Sequence, residues 1–105
     1  MSREAADVCR RAAEIINERG WVQRKFGNHN GPRCLVGALI TANIEMRFVL
    51  GELPLVAIDA VSAKLALDLN EPSVRAMSWN DRPTTTQREV EKMLRVVADD
   101  LEVAS

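Results

Sequence analysis

The sequence predicts an all-α fold, a single compact domain of four to five short helices. Three observations predict it. Apolar residues recur at three- and four-residue intervals in four segments, the spacing of one helix face. Turn-forming Gly, Pro and Asn residues fall between those segments. The chain has 105 residues, enough for one domain that buries roughly two thirds of its unfolded surface and too few for two independent cores. The domain is therefore expected to span residues 1–105.

The first helix carries Ala5, Val8, Cys9, Ala12, Ile15 and Ile16 on one stripe. Ser2 is placed to cap it, and Glu4 and Asp7 sit near the positive end of its dipole. Gly20 is expected to end it in the left-handed conformation, after which Trp21 packs back on the last turn, on Ile16. Residues 21–33 (WVQRKFGNHNGPR) break the helical pattern. Residues 22–26 suit a short extended piece, so this loop is expected to be partly extended. Residues 28–32 carry strong turn chemistry.

A second helix is expected over 34–46, with Leu35, Ala38, Leu39, Ala42 and Met46 on one face. Gly37 in its interior costs up to about 1 kcal/mol against Ala, and a close helix–helix approach would explain it. Residues 47–53 read as a connector, or as a last turn ending at Gly51. Pro54 suits the first turn of the next helix, whose stripe is Leu55, Ile58, Val61, Leu65 and Leu69. Ser73 or Asn70 is placed to cap a short helix over 74–79. A turn over 80–83 follows. Thr86 and Glu89 match a capping box ahead of a last helix with Val90, Met93, Leu94, Val97 and Leu101 inward.

Composition narrows the function classes. An apolar fraction of 47% with 28% charged residues argues against wholesale disorder. The formal charge of −1 argues against strong nucleic-acid binding. The charge is uneven: residues 1–33 carry +3, residues 34–81 carry −3 and residues 82–105 carry −1. Much of the positive excess lies in residues 19–33, which can make a local basic patch. Aromatics are 4%, with no Tyr, so a large aromatic-lined pocket is hard to build. Cys9 and Cys34 form neither a CxxC nor a zinc spacing, so no metal or other cofactor is expected. No secretory signal and no membrane span is read, and a cytoplasmic protein with reduced thiols is expected.

Three segments occur in a fixed order: Gly20-Trp21-Val22-Gln23, then Cys34-Leu35-Val36-Gly37-Ala38-Leu39, then Trp79-Asn80-Asp81. Thr-rich residues and Glu89-Val90 then open the last helix. In this order the chain resembles a family of small uncharacterised proteins found in actinobacteria and their phages, over about residues 5–98. That family carries no assigned activity, so the resemblance implies a fold and not a reaction. Its members often have longer insertions before the Cys, so a function seated in that loop need not carry over.

Candidate chemistry gathers at three places. Cys34, His29 and Asp81, with Asn80 beside it, are the residue types of a thiol nucleophile, its base and an orienting group. A helix N-terminus and Arg33 would favour the Cys34 thiolate. The plainer alternative makes Cys34 a small core residue and His29 a solvated turn residue. Trp79-Asn80-Asp81 can be a structural turn, or a binding-site edge shared with Trp21. Arg19, Arg24, Lys25, His29 and Arg33, interleaved with Trp21 and Phe26, can bind phosphate, RNA or an acidic protein surface, or simply be solvated. Phe48, Val49 and Leu50 beside Arg47 can form an apolar contact patch. No P-loop, GxGxxG, HExxH or EF-hand spacing occurs.

The leading functional reading is a small interaction module without catalysis, possessing a protein partner or associating with itself, and encoded by or descended from a phage. Its binding residues are expected among Trp21, Arg24, Lys25, Phe26, His29, Arg33, Trp79 and Asn80. The alternatives are a Cys34-based thiol enzyme or redox-sensitive protein, and a weak nucleic-acid or phosphate binder acting through residues 19–33.

Overall fold

The computed structural model describes residues 2–46 and 52–103. Among them lie five helices and no strand: α1 (Ser2–Arg19), α2 (Leu35–Glu45), α3 (Glu52–Leu69), α4 (Ala76–Asn80) and α5 (Gln87–Val103). The all-α expectation holds. Residues 52 and 53 of the expected connector already belong to α3. The rest of it, Arg47, Phe48, Val49, Leu50 and Gly51, lies outside the described residues.

α1 is the centre of the packing. Its stripe is buried as the spacing predicts, and Ala6 and Ala13 widen it. These small residues let neighbouring helices approach closely, and α5 makes the most extensive contact with α1, followed by α2. α1 and α5 run antiparallel. At one end Arg10 Nη2 meets Asp99 at 2.9 Å and Glu102 at 2.7 Å. At the other, Gln87 Nε2 donates to the Ile16 carbonyl at 3.1 Å and Asn17 Nδ2 donates to Glu91 at 3.1 Å. Between these ends Ile15, Ile16, Val90, Leu94 and Val97 are buried in one cluster, each contributing about 1.5–3 kcal/mol by leaving water.

Two expected helix ends form as drawn. Gly20 has φ +97° and its N–H donates to the Ile16 carbonyl at 2.9 Å. The capping box closes both ways, Thr86 N–H to Glu89 Oε1 at 3.0 Å and Glu89 N–H to Thr86 Oγ1 at 3.3 Å.

Three expectations are corrected. The buried face of α3 is Leu53, Ala57, Val61 and Leu65, with Ile58 half-buried, whereas Leu55 is 59% exposed and Leu69 38% exposed. α3 is apolar on nearly every side (ELPLVAIDAVSAKLALDL), so its periodicity did not single out the inward face. Starting the helix before Pro54 brings Leu53 in line with Ala57 and Val61. Next, α4 begins at Ala76, and neither Ser73 nor Asn70 caps it. Its Ala76 N–H is taken by Ser62 Oγ of α3 at 3.2 Å. Asn70 instead closes α3 in the left-handed conformation, φ 55°, with Glu71 N–H donating to the Ala66 carbonyl at 3.1 Å. Finally, no helix crowds Gly37. A Cβ there would lie 2.7 Å from the Phe26 carbonyl oxygen and 2.9 Å from Arg33 Nε. The loop before α2, folded back over the helix, is what requires the glycine.

Among the described residues no helix is long and apolar enough to cross a membrane.

Candidate functional site

The loop between α1 and α2 is closed at its base. Arg33 N–H donates to the Gly20 carbonyl at 3.2 Å, and Val22 N–H to the Arg33 carbonyl at 3.3 Å. Those bonds make a parallel bridge of Trp21 with Arg33, and Gly27 makes an antiparallel one with the same residue. Between the bridges the chain is not extended. Residues 23–25 bend, and Arg24 takes φ 65°, a left-handed conformation rare for a residue with a Cβ. The partly extended reading therefore holds only at single residues. Gly27 has φ +82°, and a Cβ there would run into the Pro32 carbonyl. Arg19 ties down the loop's far side by donating to the His29 carbonyl at 2.7 Å, and holds Glu45 of α2 at 2.8 Å.

What sets the conformation of Arg24 is a clasp from α4. Asn80 is 1% exposed, and all four hydrogen-bonding positions of its side chain are filled. Its Oδ1 accepts from Trp21 Nε1 at 2.7 Å and from Leu35 N–H at 3.0 Å. Its Nδ2 donates to the Val22 carbonyl at 3.2 Å and to Asp81 Oδ1 at 3.0 Å. Asp81 Oδ1 also accepts the Arg24 N–H at 2.7 Å. Gln23 Nε2 donates to the carbonyls of Asn80 at 3.0 Å and Arg82 at 2.8 Å. Thr85 Oγ1 donates to the Trp79 carbonyl at 2.7 Å, which steadies the turn behind them. Trp21, Gln23, Asn80 and Asp81 are thus one hydrogen-bonded unit joining residues almost sixty positions apart. Two of the three segments noted in the sequence meet here, and the third begins at Cys34 and Leu35.

Cys34 is the N-cap of α2. Its Sγ accepts the Gly37 N–H at 3.2 Å, the role a serine oxygen commonly fills. The thiol is 4% exposed. His29 is exposed, and its Nδ1 meets Thr41 Oγ1 of α2 at 2.7 Å. Asp81 faces Arg24 and Asn80. No hydrogen bond joins Cys34 to His29 or Asp81, so the three do not form a relay. Arg33 is 6% exposed; its Nη1 donates to the Gly27 carbonyl at 2.9 Å, while Nε has no partner. Burial lowers the pKa of its guanidinium from the usual value, and Cys34 acts in the opposite sense. Arg33 is a prop under the loop and does not reach outward.

The clasp leaves a cleft of about 300 Å³ beside it. Arg24, Lys25 and Phe26 of the loop form one wall; Cys34 and Val36 at the start of α2 form the floor; Met77, Asn80 and Asp81 of the α4 turn form the other wall. Phe26 and Met77 are each 48% exposed. Neither Arg24 nor Lys25 has an ion-pair partner among the described residues. Of the residues expected to bind, Arg24, Lys25, Phe26 and Asn80 line this cleft, and Trp21, His29, Arg33 and Trp79 do not. Trp79 lines a different groove of about 270 Å³, with Leu65 and Leu69 of α3 and Met93 and Val96 of α5. Trp21 lines neither space and meets the Trp79-Asn80-Asp81 turn through Asn80. Met77 carries no signal in the sequence beyond its place in a short helix, and Val36 shows only as part of the Cys34–Leu39 segment. Gln23 was visible only as part of the GWVQ segment.

Among the described residues no three His, Cys, Asp or Glu side chains are grouped to hold a metal ion. No curated protein and no solved structure matches the chain. One family model does match, and it covers residues 1–100, the clasp and the cleft included. The chain belongs to DUF6197, a family of unknown function.

Proposed function

We propose that this protein is a helical interaction module, and that its contact surface is the cleft beside the Asn80 clasp. One observation carries the reading. The clasp fixes the backbone of 21–26, and the side chains it leaves unused, Arg24, Lys25, Phe26 and Met77, all face one cleft. A rigid backbone holding unpaired cations and half-exposed apolar groups loses little conformational entropy on binding, which suits recognition. The capping role of Cys34 and the separate partner of His29 weigh against the thiol-enzyme alternative. A cytoplasmic setting and an actinobacterial or phage origin complete the reading and rest on the sequence and its resemblance.

Affinity capture from a nuclease-treated extract of the native host tests it, with a double variant Arg24→Glu, Lys25→Glu run alongside. A stoichiometric protein retained by the parent and lost by the folded variant is expected. Capture indifferent to the variant would place the contact elsewhere and reject the reading.

A second surface supports self-association. α3 turns Leu55, Val56 and Leu67 outward, and Leu67 is 80% exposed. In an antiparallel pair of α3 helices about a two-fold axis, Val56 lies opposite the partner's Leu67, with Ala60 and Ala63 between them. Apolar residues then meet apolar residues along the seam. Light scattering after gel filtration checks this: a dimer dispersed by Leu67→Arg is expected, and a strict monomer rejects it.

A further inference from the structure

We infer that the cleft takes an acidic peptide segment, one in which an apolar side chain is flanked by carboxylates; this rests on the interaction reading above. The chemistry of its walls points to that class. The interior is apolar, with Phe26, Val36 and Met77 around a space of about 300 Å³, at the lower end of the roughly 300–1,000 Å³ of small-molecule pockets and enough for a leucine-sized side chain. The rim is cationic. The Arg24 and Lys25 side chains are exposed and have no ion-pair partner among the described residues, whereas Arg19 and Arg82, the cations at either side of the clasp in sequence, are paired within the molecule. Asp81 is the one carboxylate in the lining. It accepts from the Arg24 N–H and Asn80 Nδ2 through Oδ1 and keeps its charge, so it confines an incoming acid to the Arg24 and Lys25 side of the cleft.

A nucleic acid fits less well. Phe26 is the only aromatic ring in the lining, so successive bases find no stacking platform. A simple inorganic anion would make no use of Phe26 and Met77.

The test is selection from a random-peptide library displayed on phage, using the full chain as bait. Two folded variants serve as counter-baits, Arg24→Glu with Lys25→Glu, and Met77→Asp. Circular dichroism and an unchanged denaturation midpoint establish that both fold. The expected result is a consensus of an apolar residue between acidic ones. A synthetic peptide of that consensus should lose at least about tenfold in affinity on the charge-reversed variant, and about as much on Met77→Asp. Its binding should also weaken as salt is raised, because the rim charges are exposed. No enrichment, enrichment without acidic residues, or peptides that bind the variants equally would overturn the inference. So would tight binding of a single-stranded thymidine oligonucleotide lost in the same charge reversal, which would assign the cleft to nucleic acid. If host capture depends on Arg24 and Lys25 while the library yields no acidic consensus, the interaction reading stands and the ligand class alone is wrong.

Discussion

Asn80 shows how much one side chain can hold. Replacing it with Ala strips partners from Trp21 Nε1, the Leu35 N–H and the Val22 carbonyl at once. Each buried group left unpaired costs about 1–3 kcal/mol. We expect Asn80→Ala to destabilise by at least about 2 kcal/mol in urea titration, and Asn80→Asp to be no rescue, since a second carboxylate would face Asp81. Gly37 makes the opposite point about local preference. In an exposed helix Gly→Ala stabilises by up to about 1 kcal/mol. Here the new methyl meets the Phe26 carbonyl oxygen, and Gly37→Ala should lower the melting temperature. Cys34→Ser should keep the cap on α2 and leave stability near the parent's, while Cys34→Ala should lose about 0.5–2 kcal/mol. Native Cys34 and Cys9 should both react slowly with an alkylating reagent, since both are buried; fast labelling of Cys34 would revive a thiol role. Cys9 also sets a pH dependence. Burial pushes its thiol from 9.0 up to about 12, against a smaller opposing pull from Arg10. The folded value lies above the unfolded one, so the contribution is whole below about pH 9 and is lost as pH rises towards 12. Denaturation midpoints should fall through that window, and Cys9→Ala should lose most of the slope.

At the scale of elements, the amphipathic helices were the legible ones. α1 and α5 have one apolar stripe each, and that stripe is the one buried. α3 was legible as a helix but not in its orientation, because a helix apolar on most sides gives periodicity nothing to contrast. α4 was legible only as a short helical turn. Its true cap comes from Ser62, fourteen residues upstream on another helix, and no local pattern announces a hydrogen bond of that kind. Ser62→Ala should therefore weaken α4 by about 1 kcal/mol, and should do so without changing the helicity of α3. Amide exchange at Ala76 is the readout, and no change there would show that the cap adds nothing.

Across the molecule, the same contrast explains which part of the site could be read in advance. The core obeys spacing rules in α1, α2 and α5, and so those inward faces are visible in the sequence. The cleft depends on Gly37, Gly27 and Asn80 meeting across long stretches of chain. Their residue types hinted at turns and caps, while the distances that make a clasp of them exist only after folding. The Cys34, His29 and Asp81 set shows the converse: suitable types, near in sequence or motif, directed to three different partners. Arg11 and Arg19 of α1 hold Glu45, the last residue of α2. Burial tends to raise the Glu45 carboxyl, but Arg19 and Arg11 outweigh it and hold it below the usual range. That link is retained above the ordinary carboxylate pKa and released as acid takes the pH down through the folded value.

The Leu35 amide has one further property. Its acceptor is Asn80 Oδ1, not a carbonyl of its own turn, so α2 can be fully wound while that hydrogen remains unprotected. The rate at which it trades with deuterium then times how often α4 lifts from the loop, separately from any unwinding of the helix that carries it. A single backbone proton thus serves as a clock for the opening of the cleft.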